Sequence, residues 1–128
     1  MTALDSVLAK CRAENRAALI AYIPAGFPSK QGCHKVIQVL ADAGVDAIEI
    51  GFPYSDPVMD GPIIQEAADI SLKGGTQASD VFAALKTASD TGVASVVMTY
   101  WNPIEKYGVE KFAACICLLY TSPSPRDS

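Results

Sequence analysis

Side chains suited to metal or redox chemistry are scarce in this chain. His34 is the single histidine, sits among polar neighbours, and reads as exposed rather than catalytic. The four cysteines, Cys11, Cys33, Cys115 and Cys117, match no zinc spacing, and Cys115 and Cys117 have no second pair to complete a site. They read as reduced thiols of a cytoplasmic protein. Basic residues number 10 against 14 acidic ones, a net charge of -4 that gives no footing for nucleic acid or an anionic membrane. No apolar run reaches membrane-span length. The start, M-T-A-L-D-S-V-L-A-K, lacks the charged head and long apolar centre of a secretory signal.

What is present is an alternation of helical and extended patterns. Half the residues are hydrophobic and 19% are charged, a globular composition with length for one domain. Thr2 or Asp5 can cap a first helix to about Glu14, with Leu4, Val7, Leu8 and Cys11 at helical spacing. Residues 17–23 form a first strand, ended by Pro24, Gly26 and Pro28. Ser29 caps a helix over 30–43 that Gly44 stops. Residues 45–51 form a second strand, followed by a long loop over 52–61. Pro62 suits the first turn of a helix ending at Gly74-Gly75, and another helix covers 78–89. A third strand spans 93–100, Asn102-Pro103 turns the chain, and 109–116 open a further helix.

Strands separated by crossover helices must run parallel. Two α/β architectures fit: a doubly wound sheet or a (β/α)8 TIM barrel. No G-x-G-x-x-G follows the first strand, which weakens the dinucleotide-binding version.

The stretch over 46–62, D-A-I-E-I-G-F-P-Y-S-D-P-V-M-D-G-P, carries the chemistry. Alternation along a strand puts Glu49 on one face with Ala47 and Gly51, and Ile48 and Ile50 on the other. If the isoleucines pack on helices, Glu49 points to the inner side of the sheet. Burial there disfavours the charged form of a carboxyl, and such a group suits proton transfer near neutrality. A structural Glu paired with a Lys or Arg is the competing reading. The inward acid favours the barrel, whose reactive groups sit at the C-terminal ends of strands. A whole barrel takes about 250 residues, so this chain supplies about three strands of eight. Asp60, on the following loop, is the second acid of interest, while Asp42 and Asp46 read as surface charges.

Residues 117–128, C-L-L-Y-T-S-P-S-P-R-D-S, differ from everything before them. They resemble translated read-through of a transposase-type sequencing adapter. They are therefore set apart as a disordered stub, and 1–116 are taken as the N-terminal portion of the barrel.

The segment A-I-E-I-G-F-P-Y-S-D-P-V-M-D-G-P-I-I-Q, residues 47–65, resembles the signature of the tryptophan synthase alpha subunit family. A-Y-I-P-A-G-F-P-S (21–29), A-D-A-G-V-D (41–46) and M-T-Y-W-N-P-I-E-K-Y-G (98–108) are similar to further stretches of that family. Phe27 departs from it, standing where many members carry Asp. The resemblance implies a (β/α)8 barrel lyase that cleaves indole-3-glycerol phosphate to indole and glyceraldehyde 3-phosphate by a retro-aldol step. It implies Glu49 as the carboxyl that moves protons and Asp60 as the one that stabilises charge at the indole nitrogen. Tyr22, Met98 and Tyr100 match positions lining the indole pocket, though core packing alone also accounts for them. Pro53 and Asp56 match the loop that meets the beta subunit, and turn chemistry is their ordinary explanation. The resemblance further implies a pyridoxal-phosphate-dependent beta subunit as partner in an alpha2-beta2 tetramer. It implies no cofactor or metal in the alpha subunit itself. Two alternatives stay open: another phosphate-binding TIM-barrel enzyme, or a non-catalytic fragment that binds a beta-type subunit. The 128 residues alone are expected to be inactive, because the phosphate site of such barrels follows strands seven and eight.

Overall fold

In the computed structural model, residues 2–56 and 58–121 are described, without the side chains of 117–121. Helices and strands alternate as the hydrophobic pattern predicts. They are α1 (Ala3–Ala13), β1 (Ile20–Pro24), α2 (Lys30–Asp42), β2 (Ala47–Gly51), α3 (Pro62–Lys73), α4 (Ala78–Asp90), β3 (Ala94–Met98), α5 (Trp101–Tyr107) and α6 (Val109–Thr121). The strands form one parallel sheet in the order β1-β2-β3.

Local chemistry fixes the helix starts. Thr2 accepts the Asp5 amide while the Asp5 carboxylate accepts the Thr2 amide, so the two candidate caps act together as a capping box. Ser29 accepts the Gly32 amide at 2.9 Å and starts α2. Pro62 opens α3, where its missing N–H leaves no bond unmade.

One face of the sheet is sealed by helices. Ile23, Ile48 and Ile50 pack with Cys33 and Ile37 of α2 and with Val81, Ala84, Leu85 and Ala88 of α4. Ile37, Ile48, Ile50 and Val81 are fully buried. Truncating such side chains to Ala typically costs about 2–5 kcal/mol, which makes this layer the main source of stability. The opposite face carries Tyr22, Glu49 and Val96 in one register layer and Pro24, Gly51 and Met98 in the next.

Several expectations need correction. The segment Asn102-Pro103 is not a turn: both residues lie in the first turn of α5, and Tyr100 is that helix's N-cap residue. Proline is tolerated there because the first four N–H groups of a helix have no partner inside it. β3 accordingly stops at Met98, short of Tyr100. β1 begins at Ile20, later than the apolar run suggests. α6 continues to Thr121, past the point at which the sequence pattern stops. The part of the adapter-like stretch beyond that lies outside the described residues. His34 is half-buried, not exposed, and its Nδ1 lies 2.6 Å from the Thr87 hydroxyl, joining α2 to α4.

A second polar contact ties the end of α3 to the exit of β1. The Ser71 hydroxyl is buried against the Ala25 carbonyl and lies 2.9 Å from the Thr76 hydroxyl. Gly26 makes room for this: its φ is +79°, and a Cβ there would overlap the Thr76 side chain.

Asp46 is not a bystander charge. It accepts from Arg16 Nη1 at 2.9 Å and from the Leu19 amide at 2.7 Å, which fastens the approach to β1 onto the start of β2. Its side chain is only 10% exposed. The Arg16 guanidinium first, and the Leu19 amide second, hold its pKa down to about 2. A depressed carboxylate contributes stability above its ordinary value of 3.8, and that contribution is lost as the pH falls toward about 2. Asp46→Asn is therefore expected to be less stable than the parent at neutral pH. The difference should shrink steadily over that acid window when urea unfolding is followed against pH.

Candidate active site

The site forms where the strands end. β2 supplies Glu49 from its open face, because the alternation that buries Ile48 and Ile50 leaves Glu49 no other side. Tyr22 of β1 and Val96 of β3 are its register partners. Glu49 is only partly buried, less than the sequence alone suggests, since three strands do not enclose their own open face.

Tyr22 leans along the sheet toward the strand ends. A Cβ on Gly51 would collide with the Tyr22 hydroxyl and with the ring carbon that carries it. Gly51 is thus the clearance that lets this phenol lie flat over β2. Burial, followed by the nearby charges of Asp60 and Glu49 and then by Tyr100, pushes the Tyr22 pKa up to about 12. Both carboxylates therefore act on one phenol, which stays neutral through the physiological range.

Asp60 reaches this place from the β2–α3 loop, which is moored at several points. The Phe52 amide donates to the Met98 carbonyl at 2.8 Å and prolongs the β2–β3 pairing. The Met59 amide donates to the Tyr100 hydroxyl at 3.0 Å. Gln65 Nε2, on α3, donates to the Asp60 carbonyl at 2.9 Å. Tyr54 and Tyr100 pack with ring centroids 5.3 Å apart, and Asn102 Nδ2 donates to the Tyr54 hydroxyl at 2.8 Å.

Glu49, Asp60, Tyr22 and Tyr100 are thus gathered at one mouth. Met98 ends β3 beside Gly51, half-buried on the same face. Tyr100 does not share a strand face with Met98 as expected; it reaches the site as a helix-capping residue beyond the strand. Pro53 is buried within this chain and Asp56 is exposed, so of these two only Asp56 presents its side chain at the surface. Phe27, the departure from the family pattern, packs against the core beside α2. Gly51, Tyr54, Gln65 and Asn102 were given no site role from sequence. The Gly that follows Glu49 by two residues, hence on the same face, is the one legible hint among them. Among the described residues, no group of three or more His, Cys, Asp or Glu is placed to hold a metal ion. No helix among them is long and apolar enough to cross a membrane.

Parallel strands with crossover helices, and acids near the strand ends, fit the N-terminal part of a (β/α)8 TIM barrel with a candidate site at the C-terminal mouth. Residues 8–117 match the family model described as tryptophan synthase alpha chain. The chain belongs to that family. It is 55% identical over 114 residues to the tryptophan synthase alpha chain of Thermobifida fusca, covering 89% of this chain and 42% of the relative. The alpha chain of Acidothermus cellulolyticus is 51% identical over 116 residues, covering 91% and 43%. Among solved structures, tryptophan synthase from M. tuberculosis in its aminoacrylate-bound form superposes with a TM-score of 0.89 at 44% identity, covering 93% of this chain and 49% of that one. The alpha subunit from Legionella pneumophila gives 0.88 at 32% identity, covering 94% and 47%. The chain therefore spans less than half the length of the curated relatives named here.

Gly51→Ala tests the packing of the site. It is expected to lower stability by about 1–3 kcal/mol, the usual range for overpacking. In a Tyr22→Ala background the same change should be nearly neutral, a coupling that a double-mutant cycle by urea unfolding reads directly.

Proposed function

We propose that the whole protein of which these residues are part is the lyase of tryptophan biosynthesis that releases indole and glyceraldehyde 3-phosphate from indole-3-glycerol phosphate. The observation that carries this is Glu49 in register with Tyr22, with Asp60 on a loop whose Met59 amide bonds the Tyr100 hydroxyl, in a chain of this family. Retro-aldol cleavage needs a proton delivered to the indole carbon that bears the side chain. It also needs a base for the glycerol hydroxyl. Glu49, fixed on a strand beside a neutral phenol, is the group for that work. Asp60, on the loop, offers negative charge where the indole nitrogen becomes electron-poor. Tyr22, Met98 and Tyr100 would wall the indole ring.

This reading needs no metal and no cofactor in the chain itself. A beta-type subunit carrying pyridoxal phosphate would be the partner, in a tetramer of two alpha and two beta subunits. Of Pro53 and Asp56, Asp56 is the one exposed to meet it, and the setting would be cytoplasmic.

The test is indole release from indole-3-glycerol phosphate by the complete gene product. Glu49→Gln keeps the shape and removes the proton carrier, so turnover should fall by roughly 100-fold or more. Asp60→Asn should also fall by roughly 100-fold, with the substrate still bound. An unaltered protein that releases no indole, or a Glu49→Gln variant as fast as the parent, overturns the assignment.

A further inference from the structure

Tyr54 and Asn102 touch neither Glu49 nor Asp60 in any contact described above, yet together they form an inter-element chain that ends beside Asp60. Asn102, in the first turn of α5, donates to the Tyr54 hydroxyl at 2.8 Å. The Tyr54 ring packs on the Tyr100 ring at 5.3 Å with a 33° tilt. The Tyr100 hydroxyl accepts the Met59 amide at 3.0 Å, one residue before Asp60. Met59 is 83% exposed, so the loop at this point is held by its backbone and not by apolar burial. On the far side of Asp60 the hold is the Gln65 amide on the Asp60 carbonyl.

On the β2 side of Asp60, the placement of the loop depends on the acceptor of the Met59 amide. The Tyr100 hydroxyl moves when the side chain swings about its Cα–Cβ bond, and the Tyr54 ring packed against the Tyr100 ring limits that swing. Asn102 in turn fixes Tyr54 through a bond between two half-buried groups. We infer that Tyr54 and Asn102 are positioning residues for Asp60, acting through Tyr100 and the Met59 amide. The inference rests on the lyase reading above for its kinetic consequence, but its structural half stands independently.

The experiment uses the complete gene product with Tyr54→Leu, which loses ring and hydroxyl, and Tyr54→Phe, which loses only the hydroxyl. Indole release gives kcat and KM, and amide hydrogen exchange reads the Met59 N–H. Tyr54→Leu is expected to lower kcat by roughly tenfold or more, because a displacement of about 1 Å at a reacting group can cost about 100-fold. KM should stay within about twofold, since the loss falls on the transition state. The Met59 amide should exchange faster in step with the loss, and Tyr54→Phe should recover part of both. Asn102→Ala, which removes the donor and leaves no acceptor in its place, should match Tyr54→Phe. Unchanged Met59 exchange in Tyr54→Leu overturns the inference, as does a fall in kcat with no change in exchange. Should Tyr54→Leu fail to fold, Tyr54→Phe and Asn102→Ala decide by the same two readouts. If the unaltered protein releases no indole, the lyase reading falls, and Met59 exchange alone decides whether the chain of contacts holds the loop.

Discussion

The two-residue period of β2 is the constraint on which the rest depends. Ile48 and Ile50 have to enter the layer shared with α2 and α4, because that layer is the only large apolar core among the described residues. A one-residue slip would send both isoleucines to the open face and Glu49 into hydrocarbon without a partner. The hydrophobic effect thus holds an acid in place that it does not itself touch. Pairing with β1 and β3 then sets Tyr22 and Val96 at the same height. Everything nearer the mouth, from the Gly51 clearance to the loop that carries Asp60, is built onto that layer.

Much of this was legible in the sequence because it is local. Apolar spacing, Thr2 and Ser29 before helical runs, and glycines after them each report on a few neighbouring residues. The side of the sheet on which Glu49 stands followed from its two flanking isoleucines. What could not be read depends on residues far apart in the chain. Asp46 looks like any loop acid until folding brings Arg16 and the Leu19 amide to it. His34 looks exposed until α4 sets Thr87 against it. Asn102-Pro103 has the composition of a turn, and only the packing of α5 decides that the same dipeptide opens a helix. The degree to which Glu49 is enclosed was also beyond local pattern, since it depends on how many strands surround it.

The site joins two kinds of support. Glu49 and Tyr22 stand on paired strands, whose backbones bond to one another along their length. Asp60 stands on a loop held by single contacts from β3's exit and from α3. Of the two acids, Glu49 is therefore placed by the sheet ladder and Asp60 by a few loop contacts.

The buried contact of Ser71 with the Ala25 carbonyl bears on how far Asp60 can travel. It anchors the last turn of α3 to the first strand's exit, while Phe52 at the other end of the loop is stitched to β3. The segment that carries Asp60 thus leaves β2 at a residue bonded to β3 and enters a helix whose far end is tied to the exit of β1, so it spans two points of one framework.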